Sequence, residues 1–237
     1  MTCPECEVEN ADDHNYCKHC GFPLRPHVLQ HDRTLGSAQR LRERWRRIAE
    51  RYPDRAEAHF NLGMAYYHLG QLDEAIDAFR EAVSRDDSFA QAHFQLGVTY
   101  YRRGRLEECA ASCRRALQYN PASVPARYRL AISLFHLGDL DAALAGFRQV
   151  IDADPGYIMA YYHVGVICER IDALDEAIAA FTSVAQANAR DASAHYHLGV
   201  NYKRKGLDDL AIGEFSQVLQ IDPTDRAAEA ELRLLQR

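Results

Sequence analysis

Leu62-Gly63-Met64-Ala65-Tyr66-Tyr67-His68-Leu69-Gly70-Gln71-Leu72-Asp73-Glu74-Ala75-Ile76-Asp77-Ala78-Phe79 decides the fold, because its marks return every 34 residues. Leu62-Gly63 is followed at that step by Leu96-Gly97, Leu130-Ala131, Val164-Gly165 and Leu198-Gly199. The same step carries Gly70 to Gly104, Gly138 and Gly206. It links Ala75, Ala143, Ala177 and Ala211, and Phe79, Phe147, Phe181 and Phe215. Pro121, Pro155 and Pro223 close three of the units. A fixed period of this size means stacked repeats.

The repeated residues have separate physical tasks. A glycine inside a helix costs about 1 kcal/mol against alanine. At Gly63, Gly97, Gly165 and Gly199 that loss is offset if the missing side chain lets a partner helix come close. Gly70 and its counterparts each follow a helical stretch and precede an acid-rich one, as in Gly70-Gln71-Leu72-Asp73-Glu74. That order predicts a glycine closing one helix and carboxylates in the first turn of the next. Leu72, Ala75, Ile76, Phe79, Ala82 and Val83 fall on one face of a helix. One helix pair cannot bury such faces alone, so neighbours must stack.

This pattern resembles the tetratricopeptide repeat, a pair of antiparallel helices. Leu-Gly and Tyr mark its first helix, Ala and Phe its second. The resemblance covers five units, 56–89, 90–123, 124–157, 158–191 and 192–225. It implies an all-α, TPR-type α-solenoid, a right-handed superhelix of helix pairs. The family's Trp at the fourth position is absent; His59, His93, Arg127, Tyr161 and His195 stand there. Asp172 replaces the turn glycine of unit four, and Cys109 and Cys113 replace Ala and Phe in unit two.

The frame runs past both ends. Gly36 and Trp45 are in phase with Gly70 and Phe79, so residues 37–55 read as a degenerate half-repeat. Its helix would place Leu41, Trp45, Ile48, Ala49 and Tyr52 on one face. Leu232 is in phase with Leu198, which makes 226–237 a lone capping helix with charged residues for solvent.

Cys3-Pro4-Glu5-Cys6 and Cys17-Lys18-His19-Cys20 make a CxxC-x10-CxxC arrangement. Two tight turns, each giving two thiolates, complete a tetrahedral S4 site suited to Zn²⁺. Tyr16 to Gly21 resembles the second knuckle of the small zinc-ribbon family; Glu7 departs from it where a glycine would follow Cys6. Residues 1–24 are therefore expected to be a zinc ribbon with a structural Zn²⁺ on Cys3, Cys6, Cys17 and Cys20, and 25–36 a linker. So short a segment has no core of its own, so metal binding would supply its folding energy. Cys109, Cys113 and Cys168 occupy repeat-core positions and read as small buried hydrophobes.

The net charge of −6 argues against a general nucleic-acid binder. Locally, Arg40, Arg42, Arg44, Arg46, Arg47 and Arg51 crowd one helix against Glu43 and Glu50. No 18-residue apolar run and no amino-terminal apolar signal occur, so a soluble cytoplasmic protein is expected. There is no phosphate loop and no nucleophile motif, so the chain is not expected to be an enzyme.

The tetratricopeptide resemblance also implies where a partner lies, along the first helices. The fifth positions are Phe60, Phe94, Tyr128, Tyr162 and Tyr196; the ninth are Met64, Val98, Ile132, Val166 and Val200. The thirteenth are His68, Arg102, His136, Arg170 and Arg204. Lys and Asn, which hold a terminal carboxylate in one known mode of the family, are missing from these places. The expected ligand is another protein, an extended or helical segment with apolar anchors and some acidic residues. The expected function is an interaction scaffold. The alternative is a regulatory or assembly factor contacting nucleic acid or a larger complex through the ribbon and the Arg-rich helix.

Overall fold

The structure is a computed structural model that describes residues 35–236. The four expected zinc ligands, the ribbon at 1–24 and most of the linker lie outside the described residues.

Among the described residues there are twelve helices. They are α1 Leu35–Arg51, α2 Ala56–His68, α3 Leu72–Arg85, α4 Ala90–Arg102, α5 Leu106–Tyr119 and α6 Val124–Leu137. Then follow α7 Leu140–Ala153, α8 Ile158–Arg170, α9 Leu174–Ala187, α10 Ala192–Arg204, α11 Asp208–Ile221 and α12 Arg226–Leu235. Even-numbered helices are the first helices of the repeats and odd-numbered ones the second. The packing is that of a helix-pair solenoid. Two compact units divide within α6, between Arg129 and Leu130.

Two turn chemistries recur. Each first helix ends on a residue with positive φ, at Gly70, Gly104, Gly138 and Gly206, between +71° and +86°. Glycine takes that conformation without a Cβ clash. The fourth turn uses Asp172 at +64°. Each second helix ends on Asp86, Asn120, Asp154, Asn188 or Asp222. In four of these five the side-chain oxygen accepts the N–H two residues on, from Ser88, Gly156, Arg190 and Thr224. That local bond competes with helix continuation and turns the chain.

The mid-helix glycines are contact points. A Cβ on Gly63 would lie 2.7 Å from the Phe79 ring, on Gly165 2.8 Å from Phe181, and on Gly199 2.7 Å from Phe215. At Gly97 the neighbour is the Cys113 thiol, 2.8 Å away. In the third repeat the sizes are exchanged: Ala131 carries the methyl, and a Cβ on Gly146 opposite would lie 2.9 Å from it.

In the first unit Phe60 lies between Phe79 and Phe89, with ring centroids 5.7 and 5.0 Å away. Cys109, Cys113 and Ala116 continue that core. In the second unit Phe147, Phe181 and Phe215 are fully buried, as is Cys168. Each such phenylalanine contributes roughly 1.5–3 kcal/mol by leaving water. The last helix, α12, closes the second unit by placing Ala228, Leu232 and Leu235 on Ala211, Phe215 and Val218.

The Arg-rich helix α1 starts earlier than expected and stops at Arg51, so Tyr52 falls outside it. The Tyr52 ring is exposed and lies under the guanidinium groups of Arg51 and Arg55 at 5.4 and 4.7 Å, which removes it from the apolar face.

Candidate partner-binding face

Within each unit neighbouring first helices meet through side chains, as Arg102 meets Tyr67 and Tyr162 meets Ser193, and their fifth, ninth and thirteenth positions are where a partner is expected. In the first unit Met64, Phe94, Val98 and Tyr128 are half-buried and Arg102 is exposed. Phe60, expected on this surface, is 0% exposed. Packing against Phe79 and Phe89 takes it into the core, so it cannot touch a ligand.

Arg102 lies over the Tyr67 ring of the preceding first helix, 4.6 Å from its centroid, and Arg129 lies over Tyr101 at 4.6 Å. A guanidinium on an aromatic face is held by the ring quadrupole. Burial, helped by the Arg102 charge, pushes the His68 imidazole below its usual range.

In the second unit Ile132, Tyr162, Val166, Tyr196 and Val200 are half-buried, and Arg170 and Arg204 are exposed. Met159, at the second position of the fourth repeat, is more exposed than any of these apolar residues, at 52%. Arg170 repeats the stacking motif over Phe135 at 4.8 Å. Tyr162 sets its ring edge against Phe181 and shares a hydrogen bond with Ser193 at 3.2 Å, which joins α8 to α10. Tyr196 and Val200 pack toward α12, and burial, with Glu231 nearby, raises the Tyr196 phenol.

A polar cluster runs from this face inward. His197 donates from Nδ1 to Glu169 at 2.9 Å, and the Asn201 amide donates to the same carboxylate at 2.9 Å. Arg204 donates to the Glu169 carbonyl at 2.9 Å and to the Asp172 carboxylate at 2.7 Å. Burial works to raise the Glu169 carboxyl, but the bonds from His197 and Asn201, with the Arg204 charge, hold it below its usual value. Asn201 is fully buried, and its Oδ1 has no hydrogen-bond partner. His197 stacks on Phe181 at 4.6 Å, and His163 stacks on Phe147 at 4.8 Å. Burial, followed by nearby His136, lowers His163 to about 4.

The fourth-position residues, which stand where the family has Trp, are structural. His59, His93, Arg127 and His195 each donate to the carbonyl six residues back, on Pro53, Asp87, Pro121 and Ala189. His195 also meets Glu214 at 2.6 Å, while His197 turns to Glu169; two residues apart, they serve opposite sides of α10. His163 and His197, each stacked on a phenylalanine ring, lie 34 residues apart, and that spacing does not by itself mark them as stacked. The same spacing runs through Asp86, Asn120, Asp154, Asn188 and Asp222.

On α1, Arg42 pairs with Glu43 and Arg46 with Glu50, while Arg40, Arg44 and Arg47 face solvent. Among the described residues, no cluster of His, Cys, Asp and Glu could hold a metal, and no helix is long and apolar enough to cross a membrane.

The tetratricopeptide repeat pattern matches residues 36–91, 72–122, 94–158 and 172–226. No curated protein sequence matches the chain. Among solved structures it is similar to YrrB, described as a TPR protein with an unusual peptide-binding site. That similarity has 21% identity and a TM-score of 0.73, and covers 80% of this chain and 97% of YrrB. It is similar to MamA at 25% identity and a TM-score of 0.66, covering 68% of this chain and 95% of MamA. The MamA of Desulfovibrio magneticus RS-1 matches at 21% identity and a TM-score of 0.67, covering 72% of this chain and 97% of that one.

Proposed function

Because the chain belongs to the tetratricopeptide repeat family, we propose that it is a non-catalytic interaction scaffold that holds a segment of a partner protein along its first helices. One observation carries this reading. Phe94, Val98 and Tyr128 in the first unit, and Tyr162 and Val166 in the second, remain half-exposed although they are apolar or aromatic. An apolar strip edged by cations suits the side chains of an extended or helical peptide. The peptide-binding site of YrrB, on a similar fold, is consistent with it.

The test is affinity capture with the full chain, followed by cross-linking to locate the contact. Tyr128→Ala with Tyr162→Ala should abolish capture while leaving the helical circular dichroism intact. Capture that survives both substitutions overturns the reading.

Our reading of the amino terminus is that Cys3, Cys6, Cys17 and Cys20 hold a structural Zn²⁺. Spacing and thiolate chemistry support it. One equivalent of zinc per chain, lost in Cys17→Ser, is the expected result of metal analysis; no bound metal removes this part. The Arg-rich helix remains the basis of a second reading, contact with nucleic acid or a larger complex. Salt-sensitive RNA binding that disappears on reversing Arg44 and Arg47 would favour it.

A further inference from the structure

The basic residues closing the first helices fall into two groups. Arg103 meets Asp73 at 2.9 Å, Lys203 meets Glu231 at 2.5 Å, Lys205 meets Asp175, and Arg204 meets Asp172 at 2.7 Å. Arg102 and Arg170 have no carboxylate among the described residues; each lies over an aromatic ring, 4.6 and 4.8 Å from its centroid.

The repeat frame explains the difference. Arg204 finds its carboxylate 32 residues back, on Asp172. The same step from Arg102 reaches Gly70, and from Arg170 it reaches Gly138. Arg102, Arg170 and Arg204 occupy equivalent positions, but among the described residues only the last meets a carboxylate.

We infer that Arg102 and Arg170 are anion-binding positions, and that each takes a carboxylate side chain of an acidic peptide where Arg204 takes Asp172. The inference rests on the first-helix face being the partner site. A guanidinium held over a ring by the quadrupole still has its N–H donors for a bidentate carboxylate. Apolar Phe94 and Val98 precede Arg102, and Tyr162 and Val166 precede Arg170, so an apolar residue of the ligand sits one or two turns from each acid. Isolated cations on an apolar strip, in a chain of net charge −6, suit an acidic peptide better than a phosphate backbone. Asp172 becomes an internal stand-in for the ligand.

The probe is a random 12-residue peptide library displayed on phage and selected on the full chain. Recovered peptides should be enriched in Asp or Glu at a fixed distance from an apolar residue. By fluorescence anisotropy, Arg102→Gln with Arg170→Gln should weaken the recovered peptide about 10-fold, as should replacing its acids by Asn and Gln. Arg→Lys at both sites, which keeps the charge and loses the planar stack, should fall in between. Asp172→Gly releases Arg204 and should tighten binding. Peptides without acids, or affinity indifferent to the Arg substitutions, overturn the inference. If Tyr128→Ala with Tyr162→Ala still abolishes binding in that case, the scaffold reading stands without it. If the Tyr substitutions have no effect, the scaffold reading itself falls. Tighter binding of a 20-nucleotide single-stranded RNA than of any peptide, lost with the same Arg substitutions, overturns the peptide assignment.

Discussion

The second and fourth repeats depart from the common pattern in opposite places. The second keeps its turn glycine, Gly104 at φ +74°, but replaces Ala and Phe in its core with Cys109 and Cys113. The fourth keeps its core, Gly165 against Phe181, but replaces the turn glycine with Asp172 at φ +64°. Both hold the repeat geometry. A Cβ on the core glycine would be 2.8 Å from the Cys113 sulfur in one and 2.8 Å from the Phe181 ring in the other. The close approach is what the fold requires, and a thiol pair or a phenyl ring can supply it. The turn is less forgiving. The amide of Gly104 bonds the Tyr101 carbonyl at 3.0 Å, whereas that of Asp172 reaches the Glu169 carbonyl at 3.4 Å.

Deleting the group that fills each core breaks this equivalence most strongly. Phe181→Ala leaves a large cavity and should destabilise by about 3–5 kcal/mol. Cys113→Ala removes only a sulfur and should cost about 1 kcal/mol, the middle of the range for a point substitution. Urea denaturation of the full chain at pH 7 measures both. Equal losses would mean that the second repeat draws as much from its thiol as the fourth from its ring.

Forcing the common residue into the divergent core should have the next largest effect. Cys113→Phe places a ring beside the Cys109 sulfur, where the other repeats have only an alanine methyl. Overpacking should cost roughly 1–3 kcal/mol. Adding Cys109→Ala recreates the Ala/Phe pair and should recover most of that loss. If the double variant is no better than the single one, the two cysteines are not a matched pair.

Which parts of this were legible in the sequence follows from what repeats. Gly63, Gly97, Gly165 and Gly199 recur, so a close helix contact at these positions could be read in advance. The exchange of Ala131 for Gly146 could not, because it needs knowledge of which side chains oppose across a helix pair. Position within a repeat also failed to mark Phe60 as core. The repeat frame gives it the same place as Tyr128, and only the packing of Phe89 and Phe79 against it decides. The polar cluster of Glu169, His197, Asn201 and Arg204 was hidden for another reason. Its members lie in two repeats, and no single 34-residue window contains all of them.

Acid should separate the two repeats by a smaller amount. His163 of the fourth repeat is held at about 4 by burial, with His136 adding to it, against an ordinary value near 6.5. Its folded form therefore prefers to be neutral, and the unfolded chain binds the proton first. Stability is lost as pH falls from about 6.5 toward 4. The loss is on the order of 1–2 kcal/mol, trimmed because water reaches part of the ring. The second repeat has Gln95, which does not titrate, in the equivalent place. His163→Gln should flatten the dependence of the urea midpoint between pH 7 and pH 4.5. An unchanged slope would assign the acid sensitivity elsewhere.

The turn gives the smallest expected effect, and its sign is the informative part. Asp172 holds a left-handed conformation that disfavours any Cβ, and it gains an exposed ion pair with Arg204. The conformational penalty is about 1 kcal/mol, and an exposed pair returns only about 0.2–1 kcal/mol. Asp172→Gly should therefore raise stability slightly, by no more than about 1 kcal/mol. Asp172→Ala, which keeps the strain and drops the pair, should lower it. Thermal unfolding of the two variants beside the parent separates the contributions. A loss on Asp172→Gly would mean that the Arg204 pair outweighs the strain, and that the fourth turn is stabilised by its departure from glycine.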